Sequence, residues 1–163
     1  MMMGVGGARP AMPVDFGWKD YVEVFNAGDR VRVAAVGDIF EDGYEYRLIF
    51  QAVSTTEKLS NGYNQLTITV AGYEKYWVTD RSLAYINNSY LYGAVHLRGF
   101  GSDVNYYFVE TELSKSDGTP NDWNYSHYAP AYGVDRIRFI RISANVNALL
   151  LGRCMLQRRR IST

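Results

Sequence analysis

Short runs of alternating apolar and polar residues dominate this chain and predict β-strands. The clearest run, residues 44–53, places four ring or aliphatic side chains on one face: Tyr44, Tyr46, Leu48 and Phe50. Polar residues occupy its other face, so this strand should cover a core on one side and meet solvent on the other. Comparable runs predict further strands at 66–70, 76–78, 90–97, 104–113 and 136–142.

Two runs near the start of the chain predict a β-hairpin. Residues 21–25 and 30–36 both alternate, and the segment between them, Asn26-Ala27-Gly28-Asp29, is rich in turn-forming residues. We therefore expect these two strands to pair with each other.

Two segments depart from plain alternation. Residues 80–85 could form a short helical turn rather than a strand. In the run 136–142 the alternation changes phase between Phe139 and Ile140, which predicts either a β-bulge or burial on both sides.

The last strand-like run, residues 146–157, is apolar on both faces and precedes three consecutive arginines. A strand covered on one side only should alternate, so this strand should be covered on both. We expect Leu149 and Leu151 to lie opposite Ala148 and Leu150, one set in the core and the other under a neighbouring subunit or the start of the chain. The expected oligomer-interface residues are Leu149, Leu151, Met155, Arg158 and Arg159.

Frequent turn residues and the near absence of helical periodicity predict an all-β fold of eight to ten strands. The expected architecture is an antiparallel β-sandwich of jelly-roll type. Residues 1–18 are rich in Gly and Met and lack periodicity, which predicts an extended N-terminal arm. Residues 19–163 then form a single domain.

Composition restricts the expected partners and compartment. The 17 basic and 17 acidic residues balance, which argues against nucleic acid or an anionic membrane as a partner. Neither a signal peptide nor an apolar stretch of about 20 residues is evident, so synthesis in a cytoplasm is expected. The one cysteine, Cys154, lies within an apolar run and should be a buried, inert thiol.

Candidate catalytic and metal-binding chemistry is sparse. His96, His127 and one cysteine do not supply the closely spaced nitrogen and sulfur ligands of a zinc site. The Asp and Asn residues of 117–122 lack EF-hand spacing and are ordinary turn formers. Glu110 and Glu112 share one strand face, as two hydrolase carboxylates would, but such pairs are common on solvated faces. We expect no catalytic residue, metal or cofactor.

The longest interruption between strands, residues 114–133, is the best candidate for a binding site. Its aromatic rings could lie against sugar rings while its polar side chains bond to hydroxyl groups. The same residues could instead anchor a protein interface or fold back over the core. The candidate ligand-binding residues are Asn121, Asp122, Trp123, Tyr125, His127, Tyr128 and Tyr132.

The Gly/Met-rich residues 1–18, the tyrosine-rich short strands and the apolar run 146–157 together resemble small β-sandwich proteins of bacteriophage particles. That group includes tail-fibre or receptor-binding modules, head fibres and capsid decoration proteins. The resemblance implies a homo-oligomer, often a trimer, whose arm attaches to other virion proteins and whose loops face outward. We therefore expect a non-enzymatic virion structural protein, made in the host cytoplasm, that could bind a surface glycan.

Two alternatives remain open at this point. One is a monomeric, lectin-like carbohydrate-binding module that uses the aromatic loop. The other is a small hydrolase that uses Glu110 or Glu112.

Overall fold

A computed structural model describes most of the chain as β-structure. It covers residues 15–26, 28–56, 65–73, 76–85, 89–98, 106–120, 126–130, 138–144 and 148–161, and these contain no helix. The strands, in chain order, are β1 Lys19–Phe25, β2 Val33–Gly37, β3 Tyr44–Thr55, β4 Gln65–Tyr73, β5 Tyr76–Tyr85, β6 Leu91–Arg98, β7 Tyr106–Lys115, β8 Ser126–Pro130, β9 Phe139–Ser143 and β10 Leu150–Arg160.

The strands form two antiparallel sheets that pack against each other. One has six strands in the order β1-β10-β3-β6-β7-β8, and the other has four in the order β2-β9-β4-β5. The predicted antiparallel β-sandwich is thereby confirmed. The jelly-roll connection and the N-terminal arm stay predictions, and residues 1–14 lie outside the described part of the chain.

The core lies between the two sheets. Tyr46, Leu48 and Phe50 of β3 are at most 1% exposed, which confirms the face predicted from their alternation. Ile68 of β4 and Ile142 of β9 are buried to the same degree in the opposite sheet. Burial of side chains of this size contributes about 2 kcal/mol each before opposing entropy is counted.

A β-bulge interrupts β3 and adjusts its register with β10. Ala52 has a φ of 52° and Gly152 has a φ of 86°, both in the left-handed region. The register with β10 shifts at this point, and Val53 beyond the bulge is buried like Phe50 before it. A Cβ atom on Gly152 would overlap the carbonyl oxygen of Ala52. Position 152 therefore requires glycine for both its dihedral angle and its space.

The predicted hairpin of β1 and β2 is wrong. Strand β1 pairs with β10 in one sheet, whereas β2 pairs with β9 in the other. Within the connection, Asn26 Oδ1 accepts a bond of 2.9 Å from the Gly28 N–H, and Asp29 Oδ2 accepts one of 2.8 Å from the Asn26 N–H. This turn carries the chain from one sheet to the other, because alternation specifies which face is buried but not which strand is adjacent.

The helical alternative for residues 80–85 is also wrong. These residues belong to β5, which pairs with β4 from Tyr76 to Tyr85. The continuous partner strand outweighs any local tendency toward a helical turn.

In β9 the expected bulge or two-sided burial does not occur among the described residues. Ile140 and Ile142 are buried. Phe139, which precedes them, and Arg141, which lies between them, are only partly buried. The strand therefore alternates regularly. Phe139 lies against Gly37 of β2, whose missing side chain leaves room for the ring.

Strand β10 partly matches the expectation for the apolar C-terminal run. Ala148 and Leu150 are 1% exposed and face the core, while Leu149 and Leu151 are partly buried. A neighbouring subunit over this second set stays a prediction. The strand also continues through the three arginines to Arg160, so the basic run is part of the sheet. Cys154 is buried as predicted, and burial raises the pKa of its thiol.

Substitution of Gly152 by Ala should destabilise the fold strongly. We expect Gly152→Ala to lose roughly 2 to 5 kcal/mol, because the left-handed dihedral and the contact with Ala52 both oppose a side chain. Gly118 is a matched control, since its φ is 89° but nothing lies within 4 Å of an added Cβ. Gly118→Ala should lose only about 1 kcal/mol in urea unfolding. Equal losses would contradict the proposed role of the bulge.

Candidate functional site

The most distinctive surface is the outer face of the six-stranded sheet, the side turned away from the four-stranded sheet. Antiparallel pairing sets its side chains in rows across the strands. One row runs from β1 to β7 through Glu23, Met155, Ile49, Ala94 and Glu112. The adjacent row is Asp20, Gln157, Arg47, His96 and Glu110.

The middle of the outer face is apolar. Its members, which we call the apolar patch, are Ile49, Tyr92, Ala94, Leu151 and Met155. Tyr92 is 46% exposed, and the other four are partly buried by their neighbours in the sheet. An outer sheet face that meets only water usually carries polar residues, so this patch is unusual.

Charged side chains flank the apolar patch on both sides. Glu112 lies on the β7 side and is well exposed, with 66% of its side chain accessible. On the β10 side Arg153 forms an ion pair of 3.0 Å with Glu23 of β1. The outer face therefore has an acidic β7 side, an apolar centre, and a β10 side on which Arg153 is paired with Glu23 of β1.

A second group of side chains surrounds Trp18 at the arginine end of the outer face, the end where β10 finishes. The guanidinium carbon of Arg47 lies 4.2 Å from the centre of the Trp18 ring, and that of Arg159 lies 4.9 Å away. The His96 ring is tilted by 59° at a centroid distance of 6.4 Å. Arg47 also donates from Nε to Gln157 Oε1 at 2.8 Å, so its orientation is fixed on two sides.

The charges around Trp18 do not balance. Arg159 is paired with Glu45, and His96 Nε2 lies 3.8 Å from the Glu112 carboxylate. No ion pair joins Arg47 to a carboxylate within the described ranges. Burial and the adjacent Arg159 charge both lower the pKa of Arg47. The group therefore carries two guanidinium ions close to Trp18 and one carboxylate that neutralises one of them.

A cleft of about 220 Å³ opens beside Trp18, and we call it the Trp18 cleft. Its lining consists of Trp18, Glu45, Tyr46, His96, Leu97 and Arg159. Among these, Glu45 can accept hydrogen bonds, Arg159 can donate them, and the indole supplies an apolar surface. The cleft has the size of a single small ring compound.

Arg158 stabilises the same end of the sheet from within. Its guanidinium lies between the rings of Tyr21 and Tyr44, at 3.9 Å and 4.1 Å, and its Nη1 is 3.5 Å from a Glu41 carboxylate oxygen. Tyr46 accepts the Glu41 N–H at 2.6 Å, and burial raises the pKa of the Tyr46 hydroxyl. Arg158 thus holds β1, β3 and β10 together.

Comparison with protein-family models, with curated proteins and with solved structures finds no match to this chain. The geometry of the outer face is therefore the basis on which a function can be proposed.

The candidate aromatic loop lies largely outside the described residues. This applies to Asn121, Asp122, Trp123, Tyr125 and Tyr132. His127 and Tyr128 belong to β8, where they pair with Val109 and Phe108 of β7. The prediction of an unbroken loop over 114–133 is therefore wrong, because β8 extends the sheet by one strand.

The expected interface residues separate into two groups. Met155 and Leu151 belong to the apolar patch, with Leu149 just before β10. Arg158 and Arg159 lie at the other end and contact aromatic rings and carboxylates of their own chain. Their role in an interface stays a prediction.

The pair proposed for hydrolysis lies on the outer face of β7, with Glu110 partly buried and Glu112 exposed. Both lie near His96, which lines the Trp18 cleft, but neither carboxylate belongs to the cleft lining. Within the described ranges there is no group of three His, Cys, Asp or Glu side chains suited to hold a metal ion. Nor do those ranges include a helix long and apolar enough to cross a membrane.

Loss of the Arg158 side chain should destabilise the fold more than loss of the Arg160 side chain. We expect Arg158→Gln to lose about 1 to 2 kcal/mol of unfolding free energy, because two ring contacts and an ion pair disappear. Arg160 is exposed, bonds to the Tyr44 hydroxyl at 3.3 Å and lies 5.4 Å from the centre of the same ring, so Arg160→Gln should lose less than about 0.5 kcal/mol. Chemical denaturation followed by circular dichroism would measure both, and an equal loss would refute the structural role of Arg158.

Proposed function

We propose that this protein is a non-enzymatic structural subunit of a bacteriophage particle and that it assembles as a homo-oligomer through the outer face of its six-stranded sheet. The observation that carries the proposal is the apolar patch, with Tyr92 46% exposed, between Glu112 on one side and the Arg153–Glu23 ion pair on the other. A second copy of the chain is the occupant that this arrangement fits best.

The apolar centre favours a protein partner over open solvent. Ile49, Ala94 and Met155 are direct cross-strand neighbours, so their side chains form one continuous surface. Covering such a surface removes apolar area from water and contributes about 25 cal/mol for each Å² buried. Tyrosine and methionine are also enriched at protein interfaces.

The flanking charges favour a copy of the same chain. Glu112 lies on β7, while Arg153 lies on β10. A two-fold axis parallel to the strands would set the acidic side of one copy over the Arg153 side of the other and bring the apolar centres together. Such a contact is self-complementary, which is the requirement for an isologous interface.

The start of the chain supports a place in a larger particle. Trp18, in the described segment that precedes β1, lies on the outer face beside the surface proposed for assembly. The Gly and Met content of residues 1–18 suits contact with another virion protein, as the resemblance to phage β-sandwich proteins implies.

A charge placed in the apolar patch should disrupt the oligomer. We expect the wild-type protein to sediment as an oligomer at micromolar concentration and Ala94→Glu to sediment as a folded monomer, because the new carboxylate would be buried in the contact. The matched control is Ala35→Glu, since Ala35 is exposed on β2 of the other sheet. That variant should keep the wild-type mass.

Sedimentation has two outcomes that would contradict this assembly. A monomeric wild-type protein would overturn the homo-oligomer, and an unchanged mass for Ala94→Glu would exclude the outer face as the contact. A mass of three subunits rather than two, at 18.5 kDa each, would exclude the two-fold arrangement while supporting the homo-oligomer.

The bacteriophage assignment has a separate test. We expect the gene to lie among genes for capsid, tail or head-fibre proteins in its genome, because virion structural genes are generally clustered. A stable position within an operon of metabolic enzymes would contradict the assignment without affecting the assembly experiment.

A further inference from the structure

The Trp18 cleft lies within one chain and apart from the apolar patch. Its lining belongs to the row that contains His96 and to the arginine end beyond it, whereas Ala94 and Tyr92 lie toward the other end of β6. A function for this cleft is therefore independent of oligomer assembly.

The side chains around the cleft offer the groups that a sugar ring requires. Trp18 supplies an apolar ring, Glu45 accepts hydrogen bonds, and Arg159 donates them. Glu45 and Arg159 are already paired, so both are held in place before a ligand arrives. Pre-positioned groups lose little side-chain entropy on binding. The volume of about 220 Å³ suits one monosaccharide.

The positive charge beside the cleft favours sugars that carry a negatively charged group. Arg47 and Arg159 both lie within 5 Å of the centre of the Trp18 ring, and the only carboxylate paired with either of them among the described residues is Glu45. Arg47 bonds to Gln157 through Nε, which leaves its two terminal nitrogens for another acceptor. Two such nitrogens match the two oxygens of a carboxylate.

We propose that the Trp18 cleft binds a monosaccharide unit that carries a carboxylate, with the ring beside Trp18 and the carboxylate held by Arg159 of the lining and by Arg47, which lies against Trp18 outside the lining. Uronic acids are the simplest members of this class. Such units occur in polymeric glycans, and the open side of the cleft would admit a chain end or a branch.

Calorimetric titration with three probes tests the specificity. We expect D-glucuronate to bind and D-glucose to bind at least about tenfold more weakly, because a charge-assisted pair of hydrogen bonds is lost. Inorganic phosphate should bind more weakly than glucuronate, since it lacks the ring. Equal binding of glucose and glucuronate, phosphate binding at least as tight as glucuronate, or no binding of glucuronate would each overturn the proposal.

Single substitutions test whether glucuronate binds at the Trp18 cleft. Arg47→Gln and Arg159→Gln should each weaken glucuronate binding about tenfold or more. Arg153→Gln is the matched control, because Arg153 also lies on the outer face of β10 and is ion-paired, but it is roughly 20 Å along the strand from Arg159. The control should bind like the wild type.

Folding and assembly readouts keep the result interpretable. All three variants should show the wild-type circular dichroism spectrum, and Arg47→Gln and Arg159→Gln should also keep the wild-type sedimentation mass, since the cleft is formed within one chain. Equal loss of binding in Arg153→Gln would refute this location. Loss of binding with an unchanged mass separates this inference from the assembly proposal, which a failure here would leave standing.

Discussion

Strand β10 holds the six-stranded sheet together, because β1 pairs with one of its edges and β3 with the other. The pairing with β3 is remote in sequence: Arg47 and Gln157, whose side chains bond across it, are 110 positions apart. Closing so large a loop costs entropy before any contact is gained. The six-stranded sheet therefore cannot be complete until the last strand is in place, and every outer-face row crosses this pair.

Local patterning predicted most of the strands and the buried face of β3, but it missed β8 and the second half of β5. The alternation of β3 identified Tyr46, Leu48 and Phe50 as core residues, and all three are buried. The frequent turn residues and near absence of helical periodicity predicted a sandwich of eight to ten strands, and the structure has ten. These properties depend on the period-two geometry of a single strand, which the residues of that strand encode.

Strand partners could not be predicted in the same way. β1 and β2 are consecutive and alternate well, yet they belong to different sheets. A turn such as the one after Asn26 is compatible both with a hairpin and with a crossing between sheets. Which one forms depends on competition from β9 and β10, near the other end of the chain, so the information is not local.

The candidate site was missed for a related reason. Trp18, Arg47, His96 and Arg159 come from four distant segments, and the pairing of β10, β3 and β6 brings three of them into adjacent positions. The alternation of β3 predicts that Arg47 and Glu45 point away from the core. That they lie next to the terminal arginines could be known only from the register in which β3 pairs with β10. The apolar C-terminal run, in contrast, drew attention to Leu151 and Met155 by itself.

Trp18 marks one of the two regions of the outer face, the Trp18 cleft, and the apolar patch is the other. Its ring is fixed by Arg47 and Arg159, and these are fixed in turn by Gln157 and Glu45. The segment that begins the described chain therefore forms a wall at the arginine end, with the cleft beside it and the apolar patch toward the far end of the strands. Because the wall is built from the same chain as the cleft, a neighbouring subunit can cover the apolar patch without supplying or removing any group of the cleft. Assembly and ligand binding on one sheet face are then compatible, provided that the contact stops at the row of Arg47 and His96.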